Sequence, residues 1–449
     1  MADDLKSLNK YSIMERMSAL KTYQAAWRLS SPRRLKTLYS ECSTPDLILP
    51  FSGGVLPLVV GPNLKLISPA CSVRSKPYGD WMLDLASYNI RPHFCATDTS
   101  QDLLVLCTIR GDLLGWLWFD GPPELRVYNW RTGQVVWRYP TSTGSFDFAF
   151  LDDATILVVQ VHRLLVYTID VNASITVDTT DWHELGPIPT ATCQLGLPPV
   201  IDGAIINIKT FSSRRPSSSN ERKCLFDMDP SCATIAFTIN VTTSICAPFE
   251  QYLIVVPISA IIAALDSTIS DKAVEITEDS IPFTLQWQSW GARSLILPFL
   301  HRELPKWYRT GLSAVGNKCA LAFRCVETYP NLVDVLVFDV QVAGDLEDPN
   351  PVDPKDFLPP SDHEDCTPEL LSFPIRNRLP YHLVRKVFTY DEHVDSSWLS
   401  HSIHLLDDGI ALMVWDFDGT ASEVYLISVD AGESGRSTTP MFSEVNGAR

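Results

Sequence analysis

Few residues in this chain are spaced for chemistry. Asp416-Phe417-Asp418-Gly419-Thr420 follows the apolar run Ala411–Trp415 and has the DxDGT form. In that form Asp416 would attack phosphorus and Asp418 would carry the proton, with Mg²⁺ offsetting phosphate charge. Such chemistry needs a doubly wound α/β domain behind the motif, and roughly 30 residues follow it. A hairpin turn at Asp418-Gly419, where the backbone needs positive φ, explains the same letters. His401 and His404 have HxxH spacing, but strand residues three apart point to opposite faces and do not chelate one ion. His363-Glu364-Asp365-Cys366 lies in an acidic stretch that could at most hold a divalent ion loosely. Gly311-Leu312-Ser313-Ala314-Val315-Gly316 is one residue too long for a GxSxG nucleophile elbow and reads as a strand entering a Gly316-Asn317 turn. No catalytic, cofactor-binding or metal-binding residue is therefore assigned, and no cofactor is expected.

Binding chemistry has two candidates. Arg214-Arg215-Pro216-Ser217 places two guanidinium groups before a serine, the pattern of a phosphorylation site at Ser217. Trp116, Trp118 and Phe119 form an aromatic cluster that reads either as an interaction surface or as a strand edge packed inward.

Composition narrows the partners. The 449 residues are 45% hydrophobic and 20% charged, which is a globular profile. A net charge of −17 disfavours nucleic acid and anionic membrane, both of which call for clustered Lys and Arg. The basic cluster Arg28, Arg33, Arg34 and Lys36 reads as a solvated face. Eleven cysteines without a CxxC pair read as small buried hydrophobes in a reducing compartment. The polar start MADDLKSLNK is not a secretory signal. The longest apolar run, Tyr252–Leu265, is too short to span a bilayer, contains Pro257, and reads as a buried strand plus a turn. Cytoplasm or nucleus is the expected location.

These residues must be positioned by short strands. Ser12-Ile13-Met14-Glu15 has capping-box spacing, and Ile13, Met17, Leu20 and Trp27 follow on one helical face. Residues 1–45 are thus expected to be helical. From there to residue 430 the pattern is strand and turn, with comparable strands near Leu125, Leu164, Ile205, Tyr252, Leu295 and Val335. That spacing of roughly 40–50 residues is the period of propeller blades. His93–Pro140 gives two strand pairs, Phe94–Cys107 and Leu125–Trp137, expected to share one antiparallel blade. The fold expected is all-β: a WD40-like β-propeller of about six or seven four-stranded blades behind a short helical segment. A polar loop at 212–223 and a disordered acidic insertion at 343–369 interrupt it, and a disordered tail covers 431–449.

The order of segments resembles a known family. The helix SIMERMSALKTYQAAW (12–27) leads to Gly53-Gly54-Val55, then LKLISP (64–69), a strand holding Trp81, and ATDTSQDLLVL (96–106). This is similar to the region after the F-box in fungal F-box-like proteins, whose remaining chain forms a WD40-like propeller. The resemblance covers about residues 12–140 and implies a protein-binding module related to substrate receptors of ubiquitin ligases. It also implies an F-box before the helix, for which Met1 leaves little room, so the ligase scaffold adaptor is an expected partner only if an F-box lies upstream. Two other readings stay open. One is a folded relic without ligase contact; the other rests on the DxDGT motif, which resembles haloacid-dehalogenase-type phosphatases acting through Asp416 and Asp418.

Overall fold

The computed structural model describes residues 12–29, 33–35, 47–48, 56–60, 63–68, 79–84, 96–98, 103–105, 108–110, 113–118, 124–129, 132, 134–140, 146–170, 172, 191–213, 232–243, 249–271, 283–300, 307–325, 332–340, 370–372, 379, 381–389, 400–406, 409–415 and 421–428. The first helix, Ile13–Leu29, starts at the anticipated capping box. The Ser12 amide donates to Glu15 Oε2 at 2.6 Å, and the Glu15 amide donates to Ser12 Oγ at 3.2 Å. These bonds hold the Glu15 carboxyl below its ordinary range. The helical expectation for residues 1–45 fails at Arg33–Leu35, which is a strand.

Beyond the helix the protein is mostly β. Sheet I holds Leu47–Ile48, Leu56–Val60, Asn63–Ser68 and Gly79–Asp84. Sheet II holds Thr108–Arg110, Leu113–Trp118, Glu124–Asn129 and Gln134–Pro140. Sheet III runs through Phe146–Phe150, Thr155–Gln160, Leu164–Thr168 and Cys193–Leu195, with Phe283–Leu285 added in parallel at its edge. Sheet IV holds Ile205–Ser213, Thr234–Thr242, Phe249–Pro257 and Leu295–Leu300. Sheet V holds Trp307–Val315, Lys318–Cys325, Leu332–Val340 and Tyr381–Thr389. Sheet VI takes Ser400–Leu406, Gly409–Trp415 and Ala421–Ser428, and Arg33–Leu35 completes it from the other end of the chain. Apart from that one parallel edge strand, neighbouring strands within each sheet pair antiparallel.

The stretch 93–140 does not form one blade. Ala96–Asp98 pairs with Leu103–Val105 in a separate two-stranded sheet, while Glu124–Asn129 pairs with Leu113–Trp118. The hairpin Thr108–Arg110/Leu113–Trp118 lies between them in sequence and supplies the ladder that the earlier pair was expected to provide.

The core lies in the seams between sheets. Thr234–Thr242 is buried along nearly its whole length because both of its faces are covered. Ile235, Phe237, Ile239 and Val241 pack with Leu157, Val159 and Val166 of sheet III. On the other face Ala236, Leu253 and Val255 pack with Ala314, Leu321 and Phe338 of sheet V. Between sheets II and III, Trp137 stacks on Tyr139 at 5.9 Å, with Tyr167 5.2 Å from Trp137. Each such buried side chain contributes about 1.5–3 kcal/mol of transfer free energy.

Backbone and hydroxyl contacts fix how sheets IV, V and VI meet. Their first strands lie against one another. Ser212 Oγ in sheet IV accepts the Ala314 amide of sheet V at 2.9 Å, and Ser313 Oγ in sheet V accepts the Leu405 amide of sheet VI at 2.9 Å. A Cβ on Gly311 would stand 3.0 Å from the Ile403 nitrogen, so a larger residue there would push these strands apart. The Val315–Lys318 hairpin turns at Gly316-Asn317, with Gly316 at φ +58°, as expected.

Two expectations about sheet IV need correction. Ser212 and Ser213 belong to a strand, not to a polar loop, and Ser212 is buried because its hydroxyl serves the next sheet. Residues 214–223 lie outside the described residues, as do 343–369 and 431–449. The apolar run Tyr252–Leu265 continues past its strand into the helix Ile258–Asp271, not a turn. Pro257 is the last residue of the strand, and Ile258, Ile261, Ala264 and Leu265 recur at helical spacing on the buried side. From that helix the chain crosses to sheet III, then returns through Trp287–Trp290 to Leu295. Trp290 Nε1 donates to the Gly196 carbonyl at 3.1 Å, and Trp287 meets Trp290 edge-on at 4.7 Å. This excursion fastens sheet III to sheet IV.

Ser212→Ala and Ser313→Ala each leave a buried amide without its acceptor. Each is expected to cost about 1–3 kcal/mol in urea unfolding. Stability unchanged in both variants would remove these hydroxyls from the account of how the sheets are joined.

Candidate functional site

The anticipated site residues do not converge. Trp116 and Trp118 lie in the strand Leu113–Trp118, opposite Arg126 and Glu124. Phe119 and Ser217 lie outside the described residues. Asp416 and Asp418 also lie outside them, but their flanks are clear: Gly409–Trp415 and Ala421–Ser428 pair antiparallel, with Trp415 opposite Ala421. The motif thus joins two hydrogen-bonded strands of one sheet. Phosphoryl transfer through DxDGT instead needs a strand of a parallel α/β sheet whose carboxyl end opens onto the ligand crevice. His401 and His404 sit three apart in the strand Ser400–Leu406, and His404 Nε2 is 3.2 Å from Ser402 Oγ. Among the described residues no three His, Cys, Asp or Glu side chains are grouped to hold a metal ion. Among them, too, no helix is long and apolar enough to cross a membrane.

What the structure does present is an uncovered apolar surface on the first helix. Ile13 and Met14 are each 75% exposed, Met17 49% and Leu20 41%. Ile13, Met17 and Leu20 fall on one face by helical spacing, and Arg16 and Lys21, also exposed, flank them. A stripe of this kind normally packs on the protein's own core, and an uncovered one marks a contact surface. The sequence disclosed the stripe but not its exposure. That depends on where the helix sits relative to the body, which no local pattern encodes.

Two backbone bonds place one rim of sheet IV against one rim of sheet V. The Thr234 amide donates to the Gly316 carbonyl, and the Val340 amide donates to the Asn317 carbonyl. The Ser213 end of sheet IV and the Val340 end of sheet V therefore share a rim. Ser213, Thr234, Val340 and Tyr381 are the strand ends at that rim. The Leu406–Gly409 end of sheet VI lies there too, since Ser313 and Leu405 align the adjoining strands. Arg33, which follows the exposed helix, pairs with Leu426 near the same end.

No family model and no curated protein matches the chain. Among solved structures it is similar to Kluyveromyces lactis Hsv2, at 8% identity and a TM-score of 0.28, over 82% of this chain and 93% of that one. It is also similar to the extracellular domains 1–2 of Drosophila Semaphorin 1a, at 11% identity and a TM-score of 0.32, over 89% of this chain and 88% of that one. Scores at this level define no closer relationship. The class that the chain's own sheets define is a mostly-β protein with few helices.

Of its described thiols, Cys193 and Cys319 are buried and poorly suited to nucleophilic work, and Cys232 is half-buried. Burial pushes the Cys193 thiol from 9.0 up to about 12, and the fully buried Cys319 thiol is also raised. A thiol whose folded pKa exceeds its unfolded one favours the native state fully below pH 9, where both states hold the proton. Between pH 9 and about 12 the unfolded chain releases its proton first. Stability is therefore expected to fall across that interval, more steeply than in a Cys193→Ala variant. In native protein at pH 8, Cys193 and Cys319 should resist an aromatic disulfide reagent until denaturant is added. Prompt modification of either would refute their burial.

Proposed function

We propose that this chain is a non-catalytic interaction protein: a WD40-like propeller of about six or seven four-stranded blades that carries a protein-docking helix. The abutting first strands of sheets IV, V and VI support the ring. So does the capture of Arg33–Leu35 by sheet VI, which joins the two ends of the chain. A ring leaves few unprotected edges among short antiparallel sheets. The observation that carries the docking role is the uncovered stripe Ile13, Met17 and Leu20, held to the body by that captured strand. With the resemblance to F-box-like proteins, the reading becomes a substrate-recognition module of a ubiquitin ligase, reaching the scaffold adaptor only through an F-box upstream of Met1.

Met17→Glu with Leu20→Glu changes exposed side chains and leaves the sheets intact. The double variant is expected to keep the wild-type unfolding midpoint and to weaken partner binding at least tenfold, about 1.4 kcal/mol, by calorimetry. Binding unaltered in the variant counts against the helix. A chain extended upstream by an F-box should co-purify with the ligase adaptor, and failure to do so would leave interaction without ligase recruitment.

The phosphatase reading makes the opposite demand. Mg²⁺-dependent hydrolysis of an aryl phosphate, abolished by Asp416→Asn, would establish it. The expected result is equal background rates for both proteins, because residues 416–420 link neighbouring antiparallel strands.

A further inference from the structure

The seam between sheets IV and V changes character along its length. Towards the rim of Ser213 and Val340 it is apolar, with Ala236, Val255, Leu295 and Leu297 against Ala314, Leu321 and Phe338. Towards the opposite rim the facing row of sheet IV is made of amides. Asn207, Asn240 and Gln251 are direct partners across three strands, so they share one face. Strand alternation puts Asn240 with Ala236 and Thr238, and Gln251 with Leu253 and Val255, on the side turned to sheet V.

Asn240 is 9% exposed and Gln251 8%, yet Asn240 Oδ1 and Gln251 Oε1 have no hydrogen-bond donor. Thr210 and Thr238 bond each other at 2.8 Å, and Leu253 opposite Thr238 is apolar. A buried carbonyl oxygen left without a donor bears the full cost of its desolvation, and two side by side are not retained without a partner. The partner must be small enough for a packed seam and must bring two donor hydrogens to two acceptors on adjacent strands. Water meets both requirements.

We propose that Asn240 Oδ1 and Gln251 Oε1 form a two-acceptor site for one ordered water molecule, which bridges the second and third strands of sheet IV inside its seam with sheet V. The water donates one hydrogen to each oxygen. The seam is thereby hydrated at one rim and dry at the other.

A high-resolution crystal structure of the full chain tests this directly. The expected result is one peak about 2.5–3.0 Å from both oxygens, the range of an O–H···O bond. Absence of a peak, with one amide turned to donate to the other, overturns the proposal. So does a peak with five or more oxygen ligands nearer than that, which would mark a metal ion. In urea unfolding, Asn240→Leu and Gln251→Leu are each expected to lower the midpoint, and the double variant to recover most of the loss, since no acceptor then remains to be hydrated. Strictly additive losses would overturn the shared site.

Discussion

Everything in this molecule follows from one constraint: no sheet here can bury itself. Four short antiparallel strands leave two faces open, and only another sheet laid against each face removes them from water. Thr234–Thr242 shows the result, with alternate residues given to sheet III and to sheet V and almost none left for solvent. The sequence meets this demand with Val, Ile, Leu and aromatic residues on both parities of the inner strands. Clean in–out alternation belongs to sheets with one wet face.

Stacking by apolar contact alone would let sheets slide, because dispersion and hydrophobic burial carry little direction. The directional parts are sparse and sit where first strands meet. Ser212 and Ser313 each turn a hydroxyl to a backbone amide of the next sheet, a repeated device that sets the offset between neighbours. Gly311 permits the close approach that the second of these bonds needs. Sheets III and IV are joined differently, by a covalent excursion whose strand Phe283–Leu285 extends sheet III before the chain returns to sheet IV. Gly291 belongs to that joint: a Cβ there would come within 2.4 Å of the Trp287 ring.

Local pattern made some of this legible. The capping box at Ser12 and Glu15, the turn at Gly316-Asn317 and most inner strands are short-range features, and their residues specify them without help. Three things were not legible because they depend on distant partners. Arg33–Leu35 is three residues long and becomes a strand only because residues 424–426 receive it. Pairing within 93–140 was misassigned because the Thr108–Trp118 hairpin competes for the same neighbours. Ile258–Asp271 was hidden by an apolar run whose strand and helix halves look alike. For the site, the sequence offered aromatic residues and carboxylates, whereas the apolar surface that stands out is on a helix whose stripe had the periodicity of a core face.

That last inversion bears on what the chain does. The sheets are fastened to one another by directional bonds as well as by burial. The helix is tied to the body by three residues of ladder, Arg33–Leu35, laid on the edge of sheet VI. Its apolar residues gain nothing from the body in that position, since Ile13 and Met14 remain three-quarters exposed. Leaving them in water forgoes stabilisation that a packed helix would have, about 0.8 kcal/mol for each methylene that could have been buried. The same chain thus fills its inter-sheet seams closely and leaves this stripe in water, and that contrast is what the proposed docking role rests on.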